Sequence, residues 1–141
     1  MRSKALETDG EYFGRQIGKP ILESEEDIQV TSVEWFRWQY PKKIIFGIAN
    51  GGFKVHIRTA VRLKKLGTLA GIPDLFIPHP SKGFHGFFLE TKSEKGDTSP
   101  EQKQMMPRLS EQGYCVHVYR SLVEFQQLVK WYFDTCPEPI E

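Results

Sequence analysis

Three residues of types that do phosphate chemistry lie close together in the middle of the chain. Asp74 follows Pro73 at the head of the apolar run Leu75-Phe76-Ile77, and Glu90 and Lys92 lie in Phe87-Phe88-Leu89-Glu90-Thr91-Lys92. Two carboxylates held close repel each other and raise a pKa unless a cation sits between them. Hard oxygen ligands on a rigid sheet, with room for water, suit Mg²⁺ or Mn²⁺. Such a cation polarises a phosphoryl oxygen and lowers the pKa of bound water. A lysine beside it could position that water or balance charge on a phosphate. The set therefore suits hydrolysis of a phosphodiester. As bare residue types, the same three also describe a loop-capping aspartate and a surface Glu–Lys pair.

The chemistry needs elements that bring these residues together. Both apolar runs read as strands, and Pro78-His79-Pro80-Ser81-Lys82-Gly83 between them has turn chemistry. An antiparallel hairpin results, which can set Asp74 close to Glu90. Strand alternation puts Phe88, Glu90 and Lys92 on one side and Phe87, Leu89 and Thr91 on the other, the core side. Neither Glu90 nor Lys92 would be buried unpaired, which places them at an edge or end of the sheet.

Upstream, Ser24 caps a helix whose first turn is acidic and whose apolar side is Ile28, Val33, Trp35, Phe36 and Val30, ending before Pro41. Lys43 to Ile48 reads as a short buried strand and Asn50-Gly51-Gly52 as a turn. Ile57 to Leu66 reads as a basic helix with Gly67 as its C-cap. Downstream, Ser99 and Pro100 open a helix reaching Gln112-Gly113, which Pro107 is expected to kink or split. A strand from Tyr114 to Tyr119 and an amphipathic helix from Leu122 to Phe133 complete the order αβαββαβα. This is a mixed α/β domain with a central sheet of about four strands flanked by helices. Residues 1–22 read as an N-terminal arm, 23–135 as the domain and 136–141 as a C-terminal tail.

The chain has 141 residues, 39% hydrophobic and 26% charged, which fits one globular domain. No apolar run is long enough to span a bilayer, and the first residues lack a secretory h-region. Cys115 and Cys136 have no metal spacing, so reduced cysteines in a cytoplasmic setting are expected. The net charge of +1 hides an asymmetry: Pro41 to Pro73 contains no acid but holds Lys54, Arg58, Arg62, Lys64, Lys65 and His56 among its basic residues. Arg58, Arg62 and Lys65 share one helix face. That block reads either as a polyanion-binding face or as a solvated helix face balanced by acids in space.

The order of these pieces is more specific than their types. Pro73-Asp74 leads a strand, Glu90-Thr91-Lys92 lies in the next, and a glutamine-bearing helix, Ser99-Pro100-Glu101-Gln102, follows. With Glu25-Glu26-Asp27-Ile28-Gln29 upstream and Leu109 to Gly113 downstream, the chain resembles the PD-(D/E)XK nuclease superfamily, and within it the virus-type replication-repair nuclease (VRR-NUC) family. The resemblance implies a restriction-endonuclease-like core. It implies Asp74, Glu90 and the Thr91 backbone carbonyl as ligands of Mg²⁺ or Mn²⁺, and Lys92 at the attacking water or scissile phosphate. It also implies a first-helix acid, for which Glu25 and Glu26 compete; Glu25 lies four residues before Gln29, on one helix face. Gln102 matches the family's glutamine, as a brace of the site, a backbone contact or an ordinary helix residue. Pro107 departs from the family's unbroken helix, and Thr91 stands where small or β-branched residues such as Val are usual. The implied activity is DNA endonuclease, with a homodimer of phage or bacterial type acting on branched DNA such as a four-way junction. A nickase without structure preference and a non-catalytic DNA-binding protein are the alternatives.

Overall fold

The computed structural model describes residues 22–49 and 56–134. Helix α1 (Glu25–Gln39) begins at Ser24, whose side chain accepts from the Asp27 N–H while Asp27 reaches back to the Ser24 N–H. This capping box satisfies two backbone donors that the helix leaves over. Ile28, Ser32 and Phe36 are buried along one stripe, while Val30 faces solvent. The remaining elements are β1 (Phe46–Gly47), α2 (Ile57–Lys65), β2 (Leu75–Ile77), β3 (Phe87–Thr91), α3 (Pro100–Glu111), β4 (Cys115–Tyr119) and α4 (Leu122–Phe133).

The four strands form one mixed sheet in the order β1-β2-β3-β4. β1 and β2 are antiparallel, β2 and β3 are antiparallel, and β3 and β4 are parallel, joined across α3. The expected hairpin is present, with Leu75 opposite Leu89 and Ile77 opposite Phe87. One sheet face, with Leu75, Ile77, Phe87, Leu89, Cys115 and Tyr119, packs against Ile28 and Phe36 of α1 and Phe125, Val129 and Tyr132 of α4. The order αβαββαβα and the restriction-endonuclease-like α/β core are as the sequence indicates.

Two local expectations are corrected. The strand near Lys43 is only Phe46–Gly47, and both residues are exposed. It is an edge strand that pairs with β2 alone, and Lys43 is drawn into a turn by its N–H to the Tyr40 carbonyl, leaving Ile45 as the buried member. Pro107 neither splits nor ends α3, which runs through it to Glu111. Proline forfeits one N–H bond, but the helix is closed by the Ser99–Gln102 capping box at its start and anchored by buried Met105. β3 is an interior strand, so of the two places expected for Glu90 and Lys92 it is the end of the sheet, not its edge, that they occupy. The readings for residues 1–21, Asn50-Gly51-Gly52, Lys54 and the tail with Cys136 lie outside the described residues; described Cys115 is buried and unpaired.

Candidate active site

The register of the hairpin builds the site. With Leu75 opposite Leu89, one further step sets Asp74 opposite Glu90. Asp74 is held by its own neighbour strand: its Oδ2 accepts from the Thr91 N–H at 3.0 Å. Gly71 lets the chain reach that position. Its φ is +86°, and a Cβ there would collide with the Glu101 carbonyl at the start of α3.

Glu90 is 1% exposed and points away from the apolar core, since Leu89 and Thr91 face it. Two side chains converge on its carboxylate. Lys92 Nζ lies 3.1 Å from Oε1, and Gln102 Nε2 donates to the same oxygen at 2.5 Å. Gln102 meanwhile accepts the Ser99 N–H through its Oε1 at 2.8 Å, so a residue of the α3 capping box is also a brace of Glu90. Lys92 is itself nearly buried, at 9% exposure, and its backbone N–H donates to the Tyr119 carbonyl. The reading of Gln102 as an ordinary exposed helix residue is thus corrected by its bond to Glu90.

Burial pushes the Glu90 carboxyl up to about 7, with the Asp74 charge adding to the rise and Lys92 and Gln102 opposing it. Asp74 is raised as well, by burial first, against the pull of the Thr91 N–H and Lys92. The arrangement is thus two acids that cannot both ionise comfortably. When both acids are ionised, the buried Glu90 Oε2 has no hydrogen-bond partner among the described residues; protonated, Glu90 can bond to Asp74. A buried carboxylate oxygen without a partner is costly, and a hard cation between the two acids would satisfy it. The donor set therefore fits Mg²⁺ or Mn²⁺. No three His, Cys, Asp or Glu side chains among the described residues form a complete cation cage, so backbone oxygen or water would have to complete the shell.

Glu25 lies beside this pair. Its Oε1 accepts from the Ser93 N–H at 3.4 Å, and its charge raises Asp74. No described contact ties Glu26 to the site. Thr91 is fully buried; its hydroxyl pairs with the Tyr119 hydroxyl at 2.7 Å, so the side chain has a structural use beside its backbone. Sequence reasoning missed Ser93, Gly96, Tyr119 and Arg120 around the site. Only the turn-forming composition of Ser93 to Asp97 pointed that way, and it gave no partner.

The basic residues form a separate feature. α2 has no buried residue, and Arg58, Arg62, Lys64 and Lys65 are all exposed on it. His56 is the N-cap of this helix, its Nδ1 accepting from the Arg58 N–H at 3.3 Å. No described contact joins α2 to Asp74, Glu90 or Lys92.

Comparison with known proteins bears on this geometry. A family model described as the VRR-NUC domain matches residues 23–122. A solved structure called a VRR_NUC domain protein superposes with a TM-score of 0.66, covering 78% of this chain and 88% of that one at 24% identity. No curated protein matches.

Proposed function

The chain belongs to the VRR-NUC family of nucleases, and on that premise we propose that it is a divalent-metal-dependent DNA endonuclease. The observation that carries the proposal is the pair of half-buried Asp74 and buried Glu90, with an orphaned Glu90 oxygen and Lys92 3.1 Å from the other. Asp74, Glu90 and the Thr91 carbonyl would hold Mg²⁺ or Mn²⁺, with Glu25 joining the set through a bound water. When bound, that ion supplies Lewis-acid polarisation of the phosphate and a more acidic water.

The chain's own groups do the rest. Lys92, 3.1 Å from Glu90, would be the cationic group at the attacking water or a phosphate oxygen. Gln102 keeps the Glu90 carboxylate in one orientation through its hydrogen bond. The Thr91 N–H does the same for Asp74. Activity near neutral pH then depends on the second acid being ionised, which the cation favours and burial opposes. The exposed basic face of α2 supports a sequence-independent contact with phosphates.

The substrate we assign is branched DNA such as a four-way junction, cut by a homodimer whose two sites make paired nicks. The support is membership of a nuclease family together with an Asp74, Glu90 and Lys92 set that lies within each chain. The test is cleavage of a four-way junction against linear duplex of the same sequence, in Mn²⁺ and in excess chelator, with the mass measured by sedimentation. Paired, metal-dependent cuts at the junction and a mass near twice 16.3 kDa are expected. Equal rates on both substrates would leave a nickase without structure preference, and DNA binding without cleavage would leave a binding protein. No helix among the described residues is long and apolar enough to cross a membrane.

A further inference from the structure

Glu25 rests in a seat built by residues outside the acid pair and the lysine. Ser93 to Gly96 forms a turn closed by the Gly96 N–H to the Ser93 carbonyl at 3.1 Å, and it follows Lys92 directly. The Ser93 N–H is the donor to Glu25 Oε1. Gly96 leaves the space that carboxylate occupies: a Cβ there would lie 2.8 Å from Glu25 Oε1 and 2.9 Å from Ser93 Oγ.

The turn belongs to no helix or strand, and Glu94 and Lys95 at its tip are exposed. It has little packing of its own, so something else must hold it. Arg120 does so. Its half-buried Nη1 donates to the Ser93 carbonyl at 2.8 Å and to the Gly96 carbonyl at 2.5 Å, the two ends of the turn. Its backbone is fixed in turn. The Arg120 N–H donates to Glu124 Oε2 at 2.8 Å, and the preceding Tyr119 carbonyl accepts from the Lys92 N–H at 3.0 Å. A planar guanidinium with rigidly forked donors suits two carbonyls at fixed separation better than a flexible ammonium would.

We propose that Arg120 is a positioning residue that locks the Ser93–Gly96 turn and thereby seats Glu25 against the Asp74–Glu90 pair. It selects Glu25 over Glu26 as the helix acid. The inference rests on the metal-dependent reading of the site, and its effect passes through Glu25 alone. A residue that merely tied a loop down would act independently of Glu25.

A double-mutant cycle tests this, with Mn²⁺ affinity read by calorimetry and plasmid nicking read for kcat and KM. Arg120→Gln is expected to weaken Mn²⁺ binding and lower kcat by about 10-fold, the size typical of groups that orient a metal ligand, with KM for DNA little changed. In a Glu25→Gln background the same change should cost nothing further. Losses that multiply in the double variant, or an unchanged Mn²⁺ affinity in Arg120→Gln, overturn the proposal. If Arg120→Gln does not fold, Gly96→Ala displaces the Glu25 carboxylate without touching Arg120. It must show the same dependence on Glu25, and independence overturns the proposal equally. If the wild type binds Mn²⁺ but does not nick DNA, the nuclease reading fails while calorimetry still decides the role of Arg120.

Discussion

At the residue scale, Asp74 and Glu90 make folding depend on pH. Glu90 titrates near 7 in the folded protein and near 4.5 when unfolded. The folded state therefore holds more protons between those values, and stability falls as pH rises across that window. Below pH 4.5 the contribution is fully present; above 7 it is gone. In chelator, the melting temperature should thus drop as pH rises from about 4.5 to 7, and Mn²⁺ should restore it at the upper end. Glu90→Gln should flatten the profile and abolish the Mn²⁺ response. A profile unchanged by Glu90→Gln would remove the buried acid as its cause. The acid pair and Lys92 were legible in the sequence because strand alternation and a hairpin fix their relative places. The burial of Glu90 was not, because Gln102 arrives over it from α3, a pairing between residues twelve apart that no periodicity encodes.

At the scale of elements, the sheet end and the helices around it divide the labour. The hairpin carries Asp74 and Glu90, the start of α1 brings Glu25, and the start of α3 brings Gln102. Caps written in the sequence at Ser24 and Ser99 place both helix starts. The misplaced elements have local causes. The run near Lys43 reads as buried because Ile44, Ile45, Phe46 and Ile48 are apolar, but an edge position exposes Ile44 and Phe46. Pro107 reads as disruptive through its missing N–H alone, which the cap and packing of α3 outweigh. The exposed helix α2 makes a separate prediction. Arg58→Ala and Arg62→Ala should weaken DNA binding alike on all sequences and lower the salt slope by about 0.9 for each phosphate no longer neutralised, leaving kcat intact. An unchanged slope in both variants would show α2 to be a solvated face.

At the scale of the whole molecule, the core and the chemistry occupy opposite sides of one sheet. Apolar residues of β2, β3 and β4 face α1 and α4, while the strand end presents Glu90 and Lys92 away from that core. The scaffold can therefore be rigid where the acids need fixed positions, and a cation can enter without unpacking the core. The central claim is that the Asp74–Glu90 pair holds a cation for phosphodiester hydrolysis. The most direct measurement is nicking of supercoiled plasmid in Mn²⁺ by the wild type and by Glu90→Gln, with folding of both checked by circular dichroism. The account predicts metal-dependent nicking by the wild type and a loss of about 10³-fold or more in the variant. Equal nicking by the two proteins would contradict it.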